Sequence, residues 1–193
     1  MSESNDNNEN NATHKEIIDK LPIRFISKVV KGFQRGSAEL GIPTANLSRE
    51  DTISSIPNYD DLPCGIYWGF ARIIDNNDQE KMQIYKTAVS IGFNPYYKND
   101  TKTVEPHLIA SPDSPYRTKS SCQETILGEF YGKMIRLSLV GHLRPELPFD
   151  GLENLISAIK NDIRMAEELG ENKKKEISTT NEKEWVGSEE NIV

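Results

Sequence analysis

Residues 66–74 read IYWGFARII, and their side chains alternate between the two faces of an extended chain. Ile66, Trp68 and Phe70 fall on one face, which is the period of two that is typical of a β-strand. Three more segments are rich in β-branched or apolar residues; they are Ile23–Lys31, Met82–Ile91 and Lys133–Val140. Loops rich in Pro, Gly, Asn and Asp separate these segments. The sequence therefore predicts a mainly β domain, either an antiparallel sandwich or a barrel.

One segment after these strands has a helical period instead. Its apolar residues recur every three or four positions, at Leu152, Leu155, Ile156, Ile159, Ile163 and Ala166. Asp150 can accept hydrogen bonds from the first N–H groups of a helix, with Glu153 completing a reciprocal pair. Gly170 follows the last apolar position and is typical of the residue just beyond a helix end. The pattern predicts one amphipathic helix packed on the β domain.

The chain has 193 residues and a formal net charge of −7. Five of these seven net negative charges lie in the polar segments 1–20 and 171–193, so the domain between them, 21–170, is close to neutral. We therefore expect a disordered N-terminal segment, one domain, and a solvated polar tail. A domain that is nearly neutral disfavours nucleic-acid binding.

The cysteine and hydropathy patterns exclude further classes of protein. Cys64 and Cys122 are far apart and have neither disulfide-framework nor zinc-ligand spacing. No apolar run approaches the length needed to span a bilayer, and the N-terminal segment lacks the basic and apolar regions of a secretory signal. We expect a cytoplasmic protein. We also expect a monomer, because the helix and the β domain can bury each other's apolar faces.

A glycine-rich segment follows the first strand. Residues 31–46 read KGFQRGSAELGIPTAN, and free N–H groups in such a loop can wrap anionic oxygens. The segment lacks the Gly-Lys-Ser/Thr of a P-loop, and an ordinary surface loop is the alternative. Thr44 and Asn46 fall on the same side of an extended chain. Their oxygens suit Mg²⁺, which takes its other ligands from phosphates and water; alternatively, they satisfy backbone groups of a turn.

Two charged residues outside that segment are candidates for chemistry. Glu105 stands among apolar or small residues, where burial of its carboxylate is costly unless the group is paired or functional. It is a candidate general base, and a surface glutamate on an edge strand is the alternative. Arg144 lies between the last strand and the helix and offers a planar fork to a phosphate or a carbonyl edge. A plain connection into the helix is the alternative for this segment.

Five stretches of the sequence carry a family resemblance. They are VVKGFQRGSAELGIPTANL, GIYWGFA, VSIGFNPYYKND, GEFYGKMIRLSLVGHLRPE and FDGLENLISAIKNDI, in order from about residue 21 to 169. Together they resemble riboflavin kinases of the eukaryotic monofunctional type. The resemblance implies a six-stranded antiparallel Greek-key β-barrel with the C-terminal amphipathic α-helix packed on it. It also implies transfer of the γ-phosphate of ATP to the 5′-hydroxyl of riboflavin, and a non-catalytic flavin- or nucleotide-binding barrel is the alternative.

The resemblance also implies roles for individual residues. Thr44 and Asn46 would hold Mg²⁺ or Zn²⁺, and Glu105 would act as the general base. The ATP-binding residues would be Gly32, Ala38, Thr44, Leu108, Ala110 and Tyr131. The flavin-binding residues would be Arg144, Leu147 and Phe149. The expected partners are therefore riboflavin and ATP, with no nucleic acid and no membrane-spanning segment.

Overall fold

The computed structural model describes residues 20–31, 45–56, 59–74, 83–93, 101–110, 130–171 and 176–188. Its strands are β1 Ile23–Val30, β2 Asn46–Leu47, β3 Gly65–Ile74, β4 Tyr85–Phe93, β5 Lys102–Ile109 and β6 Met134–Arg144. Its helices are α1 Arg49–Ser55, α2 Leu152–Glu171 and α3 Glu176–Gly187, and a 3-10 turn covers Tyr59–Asp61. Within these ranges, no helix has the length and apolar character required to cross a membrane.

The strands form one antiparallel sheet in the order β2-β1-β6-β3-β4-β5. The first long strand, β1, pairs with the last strand, β6, so the ends of the domain are neighbours in the sheet. The two outer strands also meet, because Ala45 N, just before β2, donates to Pro106 O of β5 at 3.4 Å. The sheet is therefore a nearly closed barrel. The prediction of a mainly β, six-stranded antiparallel barrel with a helix packed on it is confirmed.

Alternate residues of each strand belong to two different apolar clusters. Tyr67 and Ala71 of β3 lie in the core inside the barrel. Trp68 and Phe70 of the same strand lie in a second cluster on the outer surface, together with Ile163 of α2. Because both faces of β3 are buried, apolar residues occupy nearly all of its positions. The outer surface of the barrel is thus a packing surface for helices, and the functional pocket described below lies on it.

The helix α2 differs from its predicted boundary at the C-terminal end. It begins at Leu152, directly after Gly151, whose φ of 90° favours glycine. It runs to Glu171, so Gly170 lies inside the helix and not beyond its end. Glycine is needed there for a close approach, because a Cβ would lie 2.9 Å from Cδ of Lys86. Lys86 Nζ also contacts Glu171 Oε1 at 2.6 Å, which attaches the end of α2 to β4.

The segment predicted as a solvated tail contains α3, which packs on the outer surface of the barrel. Glu182 of α3 is 3% exposed and accepts hydrogen bonds from Nε (2.9 Å) and Nη2 (2.8 Å) of Arg24 in β1. Ser138 of β6 donates to the same carboxylate at 2.6 Å. Although burial alone would raise it, these hydrogen bonds lower the pKa of Glu182. The prediction of a solvated tail is therefore wrong for this helix, because buried polar contacts hold it on the barrel.

The carbonyl end of α3 meets two buried arginines. Arg136 of β6 donates from Nη1 to Trp185 O at 2.7 Å, and Arg72 of β3 donates from Nη1 to Gly187 O. The last carbonyls of a helix carry partial negative charge and lack partners within the helix, so cations stabilise this end. The two arginines therefore fix the end of α3 to the centre of the sheet.

Candidate functional site

A pocket lies outside the barrel, between the outer surface of β3–β5 and the helix α2. Ile66 of β3 and Ala88 of β4 line it from the barrel, and Leu155 and Ile159 line it from α2. The segment 145–149, which joins β6 to α2, supplies further lining residues. The cavity volume is about 660 Å³, within the usual range of small-molecule sites. An apolar wall with a few polar groups suits a flat organic ligand.

Glu105 lies on the wall of this pocket. It stands opposite Ser90 in the pairing of β4 with β5, and both residues line the cavity. Thr103 Oγ1 donates a hydrogen bond to Glu105 Oε1 at 3.1 Å. Burial raises the pKa of Glu105, and the smaller effect of the Thr103 hydrogen bond lowers it. The site thus holds a half-buried carboxylate whose pKa is displaced toward neutrality, which is the property required of a general base.

Glu146 is a second carboxylate in the pocket, and the sequence analysis missed it. Its carboxylate packs on Gly92 of β4, where a Cβ would overlap the carboxylate atoms. Burial raises the pKa of Glu146, the negative charge of Glu105 raises it further, and Arg144 and Lys102 lower it. A glycine within a strand often marks a close approach by another group, so Gly92 was the available sequence signal.

Arg144, Leu147 and Phe149, the residues that the resemblance assigns to the flavin, all line the pocket. Arg144 makes a two-bond pair with Asp162 of α2, from Nε to Oδ1 at 2.9 Å and from Nη2 to Oδ2 at 2.7 Å. The sequence analysis missed Asp162. Its place next to Ile163, on the apolar face of the predicted helix, was a signal that this carboxylate has a buried partner.

Three residues assigned to ATP or metal lie outside the described residues; they are Gly32, Ala38 and Thr44. Among the other ATP-binding candidates, Leu108 and Ala110 are buried in the barrel core, 2% and 0% exposed. Tyr131 packs against the same core and stacks on Phe130, with 6.5 Å between the ring centroids. Lys31 Nζ lies 5.5 Å from the centroid of the Tyr131 ring. Leu108, Ala110 and Tyr131 therefore share one apolar cluster, and their part in ATP binding stays a prediction.

Asn46 is the described member of the predicted metal-holding pair. It is 8% exposed, and its neighbour Ala45 bonds to Pro106, the residue after Glu105. Asn46 and Glu105 therefore lie on adjacent edges of the barrel. Across the parts of the chain that the structure describes, no cluster of three or more His, Cys, Asp or Glu side chains is suited to a metal ion. The amide oxygen of Asn46 is a neutral hard donor, which fits a cation that takes its other ligands from phosphates and water.

Comparisons with known proteins agree on one family. A family model described as "Flavokinase: Riboflavin kinase" matches residues 20–169. The riboflavin kinase of Mus musculus is 42% identical over 146 residues, which cover 76% of this chain and 79% of that protein. The riboflavin kinase of Homo sapiens is 41% identical over 146 residues with the same coverage. The crystal structure of riboflavin kinase from Trypanosoma brucei has the same fold, with a TM-score of 0.53, 21% identity, and coverage of 83% of this chain and 81% of that one.

Proposed function

The chain belongs to the riboflavin kinase family, and we propose that it transfers the γ-phosphate of ATP to the 5′-hydroxyl of riboflavin, giving FMN and ADP. One observation carries this proposal. The carboxylate of Glu105 lies on the wall of a mostly apolar pocket of about 660 Å³. A pocket of this volume and lining accommodates a tricyclic flavin ring, and its carboxylate supplies a proton acceptor beside the bound ligand.

In this mechanism Glu105 accepts a hydrogen bond from the ribityl hydroxyl and takes its proton late in the reaction. Phosphoryl transfer depends mainly on positioning and charge neutralisation, so the base chiefly has to orient the attacking hydroxyl. Burial raises the pKa of Glu105, which makes its carboxylate a better proton acceptor. The hydroxyl of Thr103, 3.1 Å from Glu105 Oε1, restrains the orientation of the carboxylate.

The nucleotide is assigned to the other side of the attacking hydroxyl, near the edge formed by β2 and β5. Thr44 and Asn46 would hold a divalent cation, Mg²⁺ or Zn²⁺, which when bound supplies neutralisation of phosphate charge. The amide oxygen of Asn46, close to the start of β2, is the observation that supports this assignment. The ATP itself would contact Gly32, Ala38, Leu108, Ala110 and Tyr131.

We also propose that the protein acts as a monomer. The helices α2 and α3 cover the outer surface of β3 and bury Phe70 and Val186 in one cluster. This surface is therefore covered by the chain itself and does not require a second copy.

The test of the function is incubation of the purified protein with riboflavin and MgATP, followed by chromatographic separation of FMN from riboflavin. We expect FMN to form only when ATP is present. Glu105→Gln is expected to abolish turnover while riboflavin binding, measured by flavin fluorescence, is retained, because the amide cannot accept the proton. Glu168→Gln, an exposed change on α2, is the matched control.

Two results would contradict parts of this proposal. Riboflavin binding by the wild-type protein without any ATP-dependent product would favour the non-catalytic flavin-binding barrel. A kcat for Glu105→Gln within a few-fold of the wild-type value would exclude Glu105 as the base while leaving the reaction itself established.

A further inference from the structure

A buried ion pair connects the barrel to the helix at the inner end of the pocket. Arg144 is the last residue of β6, and Asp162 lies in the third turn of α2. The side chain of Asp162 is 5% exposed and that of Arg144 is 20% exposed. Both oxygens of the carboxylate accept hydrogen bonds from the guanidinium, at 2.9 and 2.7 Å. A two-bond pair of this kind fixes the plane of the guanidinium as well as its position.

The same guanidinium also contacts the segment that borders the pocket. Arg144 Nη1 donates to Pro145 O at 3.1 Å, and the guanidinium carbon lies 5.5 Å from the centroid of the Phe149 ring. A cation at that distance from an aromatic ring is attracted to its face. Asp162, Arg144 and Phe149 therefore form one chain of contacts from α2 to the segment 145–149. All three residues line the pocket.

We propose that Asp162 is a positioning residue for flavin binding, which acts by holding Arg144 so that Arg144 supports Phe149 against the flavin ring. This inference rests on the proposed function of the pocket. The edge of the guanidinium that carries Nε and Nη2 is turned toward Asp162 and not toward the cavity. Arg144 thus contributes to flavin binding by fixing the segment 145–149, and Phe149 makes the contact with the ring.

The proposal predicts which substrate is affected. Without the Asp162 carboxylate, the guanidinium regains the rotational freedom of a long side chain, and Phe149 loses a fixed support. The riboflavin KM is expected to rise on the order of tenfold, because small displacements of positioning groups have effects of that size or larger. The ATP KM is expected to change less than about twofold, because Leu108 and Ala110, assigned to ATP, lie in the barrel core and not in this pocket.

The experiment compares Asp162→Asn with Glu168→Gln. Glu168 is a matched control because it lies on the same helix and is paired with Arg164 at 2.6 Å, with both side chains exposed. For each full-length variant, we would measure the riboflavin Kd by flavin fluorescence, the KM of both substrates, kcat, and the midpoint of thermal unfolding. The expected result is a selective rise in the riboflavin Kd and KM for Asp162→Asn only.

A double-substitution cycle tests whether Asp162 acts through Arg144. Arg144→Lys retains the charge but cannot form two parallel hydrogen bonds with a carboxylate. It is expected to raise the riboflavin KM to a similar extent, and addition of Asp162→Asn is expected to change that KM less than about twofold further. Arg144→Lys alone carries the selectivity test if Asp162→Asn is insoluble.

Several outcomes would overturn the inference. They are a riboflavin KM equal to that of Glu168→Gln, an equal rise in the KM of both substrates, a fall in unfolding midpoint without a change in riboflavin affinity, or additive effects in the cycle. In each of these cases the wild-type protein still forms FMN, so the proposed function stands. Failure of the wild-type protein to bind riboflavin would overturn the function and this inference together.

Discussion

Replacing Glu182 with glutamine tests whether polar contacts hold α3 on the barrel. The side chain keeps its size but loses its charge, and its amide group would direct N–H donors at groups that are themselves donors. Three hydrogen bonds are affected, two from Arg24 and one from Ser138. Glu182 is 3% exposed, so water cannot readily replace these partners.

The size of the effect follows from the exposure of the two partners of Glu182. A hydrogen bond to a charged group contributes about 1.5–3 kcal/mol to stability, and the bond from Ser138, which is 0% exposed, should be near the middle of that range. The side chain of Arg24 is 42% exposed, so solvent screening limits its ion pair to roughly 1 kcal/mol or less. We expect a loss of about 2–3 kcal/mol, which lowers the unfolding midpoint by roughly 5–10 °C for a chain of this size.

Thermal unfolding followed by circular dichroism, with urea unfolding as a second measurement, would determine this loss. Glu184→Gln, an exposed change on the same helix, is the control. The pKa of Glu182 is lower in the folded than in the unfolded protein, so its stabilisation is complete above its ordinary value of 4.5 and is lost as the pH falls through the folded value. The difference between wild type and Glu182→Gln should therefore shrink in acid. A difference below about 0.5 kcal/mol at pH 7 would refute the reasoning.

Two further predictions concern the pocket wall and the sheet. Thr103→Val removes the hydrogen bond that lowers the pKa of Glu105, so the acidic limb of the kcat/KM profile should move to higher pH; an unmoved limb would contradict this contact. Gly69→Ala would place a Cβ against the carbonyl oxygen of Ser138 on the adjacent strand, and we expect a loss of about 3 kcal/mol or more in urea unfolding. A wild-type urea midpoint would show that the strands can separate enough to admit the methyl group.

The barrel and the place of Glu105 could be predicted because each depends on local sequence. In β3, the alternation that places Tyr67 inside the barrel and Trp68 outside it is visible in consecutive residues. Glu105 is conspicuous because it interrupts an apolar segment, and the structure places it on the pocket wall. The length of α2 was also accessible, although the packing of Lys86 on Gly170 was not, and the predicted helix end was misplaced for that reason.

The contacts that escaped prediction join residues that are far apart in the chain. Arg24 and Glu182 are separated by 158 positions, and each resembles an ordinary exposed charge until the fold brings them together. The helix α3 lacks a strong apolar stripe, so its periodicity carried no signal. The partner of Arg144 depends likewise on how α2 lies across the barrel, which no local pattern specifies.

The alternation along β5 separates two kinds of evolutionary constraint within a single strand. Val104 and Leu108 face the interior and fill the core, while Glu105 and His107 face the pocket between them. A substitution at an outward position alters what the protein binds without changing the volume of the core. Ligand preference in such a barrel can therefore diverge step by step between lineages, while the inward residues of the same strand are inherited unchanged.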